Sequence, residues 1–315
     1  MQEYPFISII IPVKNEGEIL KRCLNSIKNL DYPKDRLEII VADGNSWDNT
    51  KEVAESFGAK VILNEKGVVV SARNVGFKVA RGDIIVFTDA DCTFSKFWLK
   101  NSLKYLNEPD VAGVGGPTIL PQEATTFEKA VDYLFEMAEL LSITCHLKNI
   151  NLSKEVKDIP GCNAIYKRQI LEKVMPVEES FLTAEDVWMN YCIRKLGYKL
   201  IYANDVLVWH YRRSNPKRFL RQIYRFSIGR LQVGKRNTNL LSIWHIIVGS
   251  GLPFFIGFFL FFWITFFILF LFSWLKKRSL YFFLNFLIVI FLFLFGWSIG
   301  FWRELFFPLK NIKGK

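Results

Sequence analysis

The sequence predicts an α/β fold: a doubly wound sheet, then a basic amphipathic helix and two apolar C-terminal spans. Three observations carry this. Short β-branched runs alternate with helical-period segments four times between residues 6 and 106, the pattern of strands wound with helices on both faces. Asp43, Asp89 and Asp91 each follow a strand, so they share the carboxyl edge where open α/β sheets bind ligands. Residues 242–302 hold two long uncharged stretches of mostly Phe, Ile and Leu, separated by Lys276-Lys277-Arg278.

Residues 6–13 are a β-branched run stopped by Pro12, hence a first strand. The polar loop 14–17 leads to a helix over 18–30, with Ile19, Leu20, Cys23, Leu24, Ile27 and Leu30 at helical spacing. Residues 37–42 form a second strand that ends in the turn Asp43-Gly44-Asn45-Ser46. A helix over 47–57 follows, with Asp48 in its first turn, then a strand over 60–63 and a helix over 68–80 entered through Lys66-Gly67. The apolar run Ile84-Ile85-Val86-Phe87 reads as a buried parallel strand, and Ser95 as the N-cap of a helix to residue 106.

Beyond this the pattern loosens. Residues 111–119 are strand-like but broken by Gly113, Gly115 and Gly116. A long amphipathic helix is expected over 125–142, a polar mobile loop over 147–157, and a tight turn into a strand over 159–166. Thr183-Ala184-Glu185-Asp186 precedes a helix over 187–196 with Gly197 as its C′ residue. Short strands follow at 199–202 and 206–210. The helix over 215–236 sets Lys217, Arg218, Arg221, Arg225 and Arg230 beside apolar residues, which suits a membrane surface; a solvated surface helix is the alternative.

The net charge of +11 fits nucleic acid, a membrane surface or anionic substrates. The 30 Phe and 9 Trp crowd the last quarter, where acids are almost absent, so lipid is favoured and nucleic acid is not expected as a partner. The five cysteines are odd in number and form no C-x-x-C pair, so they are read as reduced, mostly buried thiols of a cytosolic compartment. No signal peptide pattern opens the chain. The spans 242–274 and 279–302 exceed the length that crosses a bilayer. The basic residues before the first span and after the second favour a cytoplasmic main domain, against Lys276-Lys277-Arg278, which would then face outward. A shallow hairpin that does not cross would remove the conflict.

Asp89 and Asp91 lie two residues apart and point the same way on extended backbone. Like charges so placed repel unless a cation lies between them, and a few hard oxygen ligands suit Mg2+ or Mn2+ shared with a phosphate. A pair of solvated turn acids is the alternative. The phosphate loops G-x-G-x-x-G and G-x-x-x-x-G-K-[ST] are both missing, which disfavours a dinucleotide dehydrogenase and a P-loop ATPase.

Together, Ile11-Pro12-Val13-Lys14-Asn15-Glu16, Asp43-Gly44-Asn45-Ser46, Ala72-Arg73-Asn74, Asp89-Ala90-Asp91, Gly161-Cys162-Asn163-Ala164 and Ala184-Glu185-Asp186 resemble, in order over residues 6–236, the inverting glycosyltransferases of family 2. The membrane-anchored members that make polyprenyl-phosphate sugars or polysaccharides are similar. Gln222-Ile223-Tyr224-Arg225-Phe226 resembles the Q-x-x-R-W signature of membrane polysaccharide synthases, with Phe226 in place of Trp. The resemblance implies the GT-A fold, a mixed doubly wound sheet. It implies a nucleoside pocket lined by Pro12, Glu16 and Asp43, with Lys66, Arg73 and Asp89 at the donor diphosphate. It implies Mg2+ or Mn2+ on Asp89 and Asp91, and Asp186 as the catalytic base; His210, at a strand end, is a candidate further ligand for the metal or a phosphate. Gly161, Asn163, Glu185, Gln222 and Arg225 fall to the acceptor. Each has a plainer alternative: a turn Asx for Asp43, helix-surface charge for Arg73, helix N-terminal acids for Glu16, Glu185 and Asp186, a packed histidine for His210, and membrane-surface charge for Gln222 and Arg225.

The function expected is thus a membrane-bound inverting glycosyltransferase. It would move a sugar from a nucleotide-diphosphate sugar, UDP favoured over GDP, to a lipid-linked or glycan acceptor. A processive polysaccharide synthase and a non-catalytic nucleotide-binding scaffold are the rivals. The expected domains are a catalytic domain over 1–213 (donor half to about 118, acceptor half 119–213), an interface helix over 214–240, and a membrane hairpin with basic tail over 241–315. The expected location is the cell membrane, multi-pass, with the catalytic domain cytoplasmic.

Overall fold

The computed structural model describes residues 4–140, 153–251, 263, 267, 270–271 and 280–309. These divide into two units: one from residues within 1–119 and 145–210, the other from residues within 120–144 and 211–310.

In the first unit, β1 (Ile7–Val13) lies between β2 (Leu37–Asp43) and β4 (Ile84–Thr88), parallel to both, with β3 (Lys60–Leu63) outside β2. The isoleucines of β1 are buried on both faces, as a central parallel strand requires. Helices α1 (Gly17–Lys28), α2 (Thr50–Ser56) and α3 (Val69–Val79) connect these strands. Leu20, Cys23, Leu24 and Ile27 of α1 join the core. Gly76 lets α3 approach β1: a Cβ there would lie 2.4 Å from the Ile10 side chain.

The sheet then turns mixed. Strand β9 (Asn163–Lys167) runs antiparallel between β4 and β6 (Val111–Gly115), and β10 (Lys199–Tyr202) pairs parallel with β6. Because β9 is reversed, its start meets the end of β4, with Thr88 opposite Asn163. The loop before β9 therefore arrives at the same edge as the loops after β1, β2, β3 and β4. A three-stranded sheet of β5 (Cys92–Phe94), β11 (Val208–His210) and β7 (Thr118–Ile119) stands at that edge.

Several sequence expectations shift here. Residues 111–119 are two strands in two sheets, parted at Gly116-Pro117; a Cβ on Gly116 would be 2.2 Å from the Val206 carbonyl oxygen. Residues 154–156, expected within a loop, form β8 (Lys154–Val156), an edge strand antiparallel to β10. Helix α4 (Trp98–Leu106) starts three residues after Ser95, which accepts the Trp98 N–H through its carbonyl and makes no side-chain cap. Strand β5 uses the residues before it. Helix α2 starts at Thr50, with Asp48 just ahead of it receiving the N–H groups of Thr50 and Gly17. A short α6 (Arg168–Leu171) was not foreseen, and α7 starts at Glu185 (Glu185–Lys195). The four described cysteines, Cys23, Cys92, Cys162 and Cys192, are free thiols; Cys145 lies outside the described residues.

The second unit holds α5 (Thr126–Leu140), α8 (Pro216–Arg236), α9 (Ile243–Gly249) and α10 (Leu280–Phe306). Asn215 caps α8 with its side chain. Phe127, Val131 and Phe135 of α5, Phe219 and Ile223 of α8, and Phe286, Val289 and Phe293 of α10 share one core. Small residues set the distance between α8 and α10: a Cβ on Gly296 would lie 2.9 Å from Leu220, and one on Gly300 2.5 Å from the Tyr224 carbonyl oxygen. Ser227 donates to the Trp297 carbonyl at 2.7 Å. The Arg212 guanidinium, buried over the Phe135 ring, meets Asp132 at 3.0 Å.

Among the described residues one helical stretch, Tyr281–Phe306, is long and apolar enough to cross a membrane. Two spans were expected. Of the first, 242–274, α9 is described and most of the remainder lies outside the described residues. The second is longer than expected and carries Arg303 and Glu304 in its last turn, where Lys235 of α8 meets the buried Glu304 at 3.0 Å.

Candidate active site

The carboxyl edge of the main sheet gathers the chemistry of the first unit. Strand β4 ends at Thr88 and delivers Asp89 and Asp91 into the turn before β5. Strand β11 pairs its His210 with Cys92 of β5, which brings the imidazole beside the acids. His210 Nε2 lies 3.3 Å from Asp91 Oδ1. One ligand atom from each of Asp89, Asp91 and His210 lies within 4.8 Å of the others. Two carboxylates and an imidazole suit Mn2+ or Mg2+, so the residues fit the expected ion. Pairing of β11 with β5, which a single sequence does not display, brings His210 to the acids, so its weight rises from a packed histidine to a member of the cluster.

Although 37% of the Asp89 side chain is exposed, the shell round its carboxyl pushes its pKa up to about 7. Burial contributes most, then the Cys162 thiol, with Asp91 adding, against Arg73 and His210. A cation among these groups would relieve the strain of two close acids.

Arg73 on α3 stands at the centre of the edge and is 4% exposed, so it is not helix-surface charge. Its Nη1 lies 2.7 Å from Glu185 Oε1, its Nη2 donates to the Gly161 carbonyl at 2.9 Å, and Nη2 is 3.8 Å from Asp89 Oδ1. Burial alone would drive the guanidinium toward neutrality; Glu185, Asp89 and Asp186 outweigh it and keep it charged. Glu185, expected on the acceptor side, is itself buried by this pairing. Desolvation raises its pKa against the pull of Arg73.

The Gly161 loop joins the two poles. Thr88 donates to the Cys162 carbonyl at 2.8 Å, and the Gly161 N–H donates to Asp186 Oδ2 at 3.1 Å. Asp186 is partly exposed where Glu185 is not. Ala184, just before them, has φ 64°, a left-handed conformation that costs a residue with a Cβ of order 1–3 kcal/mol and occurs where surroundings over-determine the backbone. Asn15 and Asn45, in the loops after β1 and β2, adopt it too, with φ 54° and 62°.

Asp43 is buried at the end of β2, and its carboxylate accepts the Ser46 N–H at 3.1 Å as well as the Ser46 hydroxyl. The turn expected as its alternative role is therefore formed. Pro12 and Glu16 flank the neighbouring loop half-buried; Glu16 is the N-cap residue of α1, with its N–H on Thr50 Oγ1. Lys66, in the loop after β3, pairs with Glu179. Asn163, expected on the acceptor side, has no exposed surface; its Oδ1 accepts from Trp98 Nε1 at 2.9 Å and its Nδ2 donates to the Val206 carbonyl at 2.8 Å, tying the start of β9 to α4 and to the loop before β11. Gln222 and Arg225 lie half-buried on α8 in the second unit, where burial and Arg221 lower the pKa of Arg225. Sequence reasoning missed Glu179, and also the thiol pair Cys92 and Cys162 beside His210. Neither shows a spacing signal, since the fold alone brings them in.

Residues 8–175 match the family model described as glycosyl transferase family 2. Glycosyltransferase AglE of Haloferax volcanii is 30% identical over 260 residues, 78% of this chain and 81% of that protein. A Methanococcus voltae transferase that adds a diacetamido-dideoxy-glucuronosyl unit to dolichyl N-acetylglucosaminyl phosphate is 30% identical over 76% of this chain and 77% of its own. Among solved structures, the Pyrobaculum calidifontis mannosyltransferase PcManGT with GDP-Man and Mn2+ aligns at TM-score 0.57 and 22% identity, covering 74% of this chain and 65% of that one. Staphylococcus aureus TarS residues 1–349 with UDP-GlcNAc align at TM-score 0.52 and 20% identity, over 71% and 66%. At such identities the structures speak for the GT-A-like fold. The sequence matches carry the rest: the chain belongs to glycosyltransferase family 2 and is a glycosyltransferase.

Proposed function

We propose that the chain is a membrane-bound inverting transferase. It moves a sugar from a nucleoside-diphosphate donor to a lipid-linked or glycan acceptor. The observation that carries this is the Asp89, Asp91 and His210 cluster, linked through Arg73 and Gly161 to a partly exposed Asp186.

In this reading the nucleoside lies over the loops after β1 and β2, against Pro12, Glu16 and Asp43, and the Asp43–Ser46 turn shapes the pocket floor. Lys66 reaches the diphosphate by leaving Glu179. Arg73 contributes charge without contact, since its fork is committed to Glu185 and Gly161. Asp89, Asp91 and His210 hold Mg2+ or Mn2+, which when bound supplies positive charge at the departing diphosphate. Asp186 accepts the acceptor hydroxyl proton while that oxygen bonds to the anomeric carbon. The bond from that carbon to the diphosphate oxygen breaks with it, its electron pair leaving on the nucleoside diphosphate. One such displacement inverts the anomeric centre, the synthetic counterpart of single-step inverting hydrolysis. Gly161 borders the acceptor side, and Gln222 and Arg225 take the acceptor's sugar or phosphate.

A lipid-linked acceptor is supported by the basic face of α8 and by an unbroken apolar stripe on α10, where Tyr281, Leu284, Ile288, Phe291, Phe295 and Ile299 are all exposed. The dolichyl acceptor named for the Methanococcus voltae relative points the same way. We place the catalytic domain, residues 1–213, in the cytoplasm, with an interface helix over 214–240 and a multi-pass hairpin beyond. UDP is the favoured donor nucleotide, GDP the second, and single addition is favoured over processive synthesis because Phe226 stands where the processive signature has Trp.

The test is turnover of a nucleotide-sugar panel with Mn2+ by the full chain in detergent. Release of nucleoside diphosphate from one donor, abolished by Asp91→Asn, is expected. Activity unaffected by Asp91→Asn would overturn the metal reading.

A further inference from the structure

Behind the acidic pair lies a second donor set of different chemistry. Cys92 Sγ, Cys162 Sγ and a ring nitrogen of His210 lie within 4.8 Å of one another. The Cys92 and Cys162 thiols are hydrogen-bonded to each other. His210 Nδ1 is 3.8 Å from Cys162 Sγ, while Nε2 of the same ring is 3.3 Å from Asp91 Oδ1. The imidazole is thus shared by an oxygen-rich set on one side and a sulfur-rich set on the other.

We propose that Cys92, Cys162 and His210 form a thiophilic metal site that takes Zn2+ or Cd2+, and that filling it removes His210 from the acidic site. Two thiolates and an imidazole make a three-ligand set that soft ions prefer and Mg2+ or Mn2+ do not. A neutral imidazole has one lone-pair nitrogen. A soft ion on Nδ1 leaves the proton on Nε2, which then donates to Asp91 and offers no lone pair to a second cation. With the acidic site loaded through Nε2, the proton sits on Nδ1 and points at Cys162 Sγ, a partner that orients the ring. The two occupations are alternatives written on one ring. Binding forms two metal–sulfur bonds and one metal–nitrogen bond and releases two thiol protons to solvent. The coupling rests on the acidic cluster being the catalytic ion site; the thiol site itself does not.

The test titrates the full-length protein in detergent with CdCl2. It follows thiolate-to-cadmium charge-transfer absorption, proton release with an indicator dye, and Mn2+ affinity by electron paramagnetic resonance of the free ion. One Cd2+ and two protons per chain are expected. Cys92→Ala and Cys162→Ala, each checked by thermal melt, should lose the charge-transfer band, and Cys23→Ala should keep it. Displacing Mn2+ should need about tenfold more Cd2+ in Cys92→Ala than in the wild type. No band, or one that persists in both Cys92→Ala and Cys162→Ala, overturns the thiol site. The proton count on the wild type decides even where a variant fails to fold: no release overturns it too. Equal Cd2+ demand for Mn2+ displacement overturns the coupling. A cadmium band in a protein that binds no Mn2+ upholds the thiol site and overturns the acidic cluster as the ion site.

Discussion

The Gly161 N–H donates to Asp186 Oδ2 at 3.1 Å, and a Cβ on Gly161 would stand 2.9 Å from that same oxygen and 2.7 Å from Arg73 Nη2. Arg73 is not free to yield, since it also holds Glu185, whereas Asp186 is partly exposed. Gly161→Ala should therefore displace the Asp186 carboxylate. We expect transfer to fall by about 10²-fold, the usual effect of an ångström-scale misplacement, with a stability loss of roughly 1–3 kcal/mol. Steady-state kinetics and a chemical denaturation curve check both.

Arg73→Ala would leave Glu185 buried without its cation. Breaking a buried pair from one side costs about 3–5 kcal/mol, whereas replacing both partners by apolar groups is often neutral. Arg73→Met with Glu185→Leu should regain most of the stability lost by Arg73→Ala and none of the transfer activity. Denaturation midpoints and turnover, measured on the same samples, separate the two roles.

Asp89 gives a pH signature. Its pKa is raised in the fold to about 7, so the folded chain binds a proton there more tightly than the unfolded chain. The stability this contributes is complete below the unfolded carboxylate pKa, near 4, and is lost as pH rises through about 7. Mn2+ should compete with that proton, and its affinity should rise with pH up to about 7 and level off above. The difference in stability between wild type and Asp89→Asn, followed from pH 4 to 8, should slope without Mn2+ and flatten with it.

The exposed stripe on α10 should face lipid. A lysine near the middle of a spanning helix costs about 2.5–3.5 kcal/mol on insertion scales. Ile288→Lys with Phe291→Lys should shift the protein from the membrane pellet to the alkali-extractable fraction. Arg221→Lys, at a position already cationic and exposed on α8, should not.

How much of this was legible depended on the range of the interactions. The alternation of β1 to β4 with α1 to α3 is local hydrophobic periodicity, and it is what the fold shows. The short pieces escaped for the opposite reason. Strands β5, β7 and β8 are two or three residues long and exist because distant strands pair with them, so no periodicity marks them. Asp89 and Asp91 announced themselves by spacing at a strand end. His210 stood out only as a histidine at a strand end, and Cys92 and Cys162 not at all, because pairing of β5 with β11 sets Cys92 beside His210 and the loop before β9 brings in Cys162. The burial of Asn163 was not legible because a motif residue and one held in buried hydrogen bonds to a helix and a loop look alike in sequence.

The most direct measurement is the Asp186→Asn variant in two assays, with Mn2+ present: donor affinity by calorimetry and sugar transfer by product detection. Donor affinity within about threefold of wild type, with transfer down by about 10³-fold or more, is the predicted result for a lost general base. Parallel loss of both, or transfer that survives, would contradict Asp186 as the group that takes the acceptor's proton.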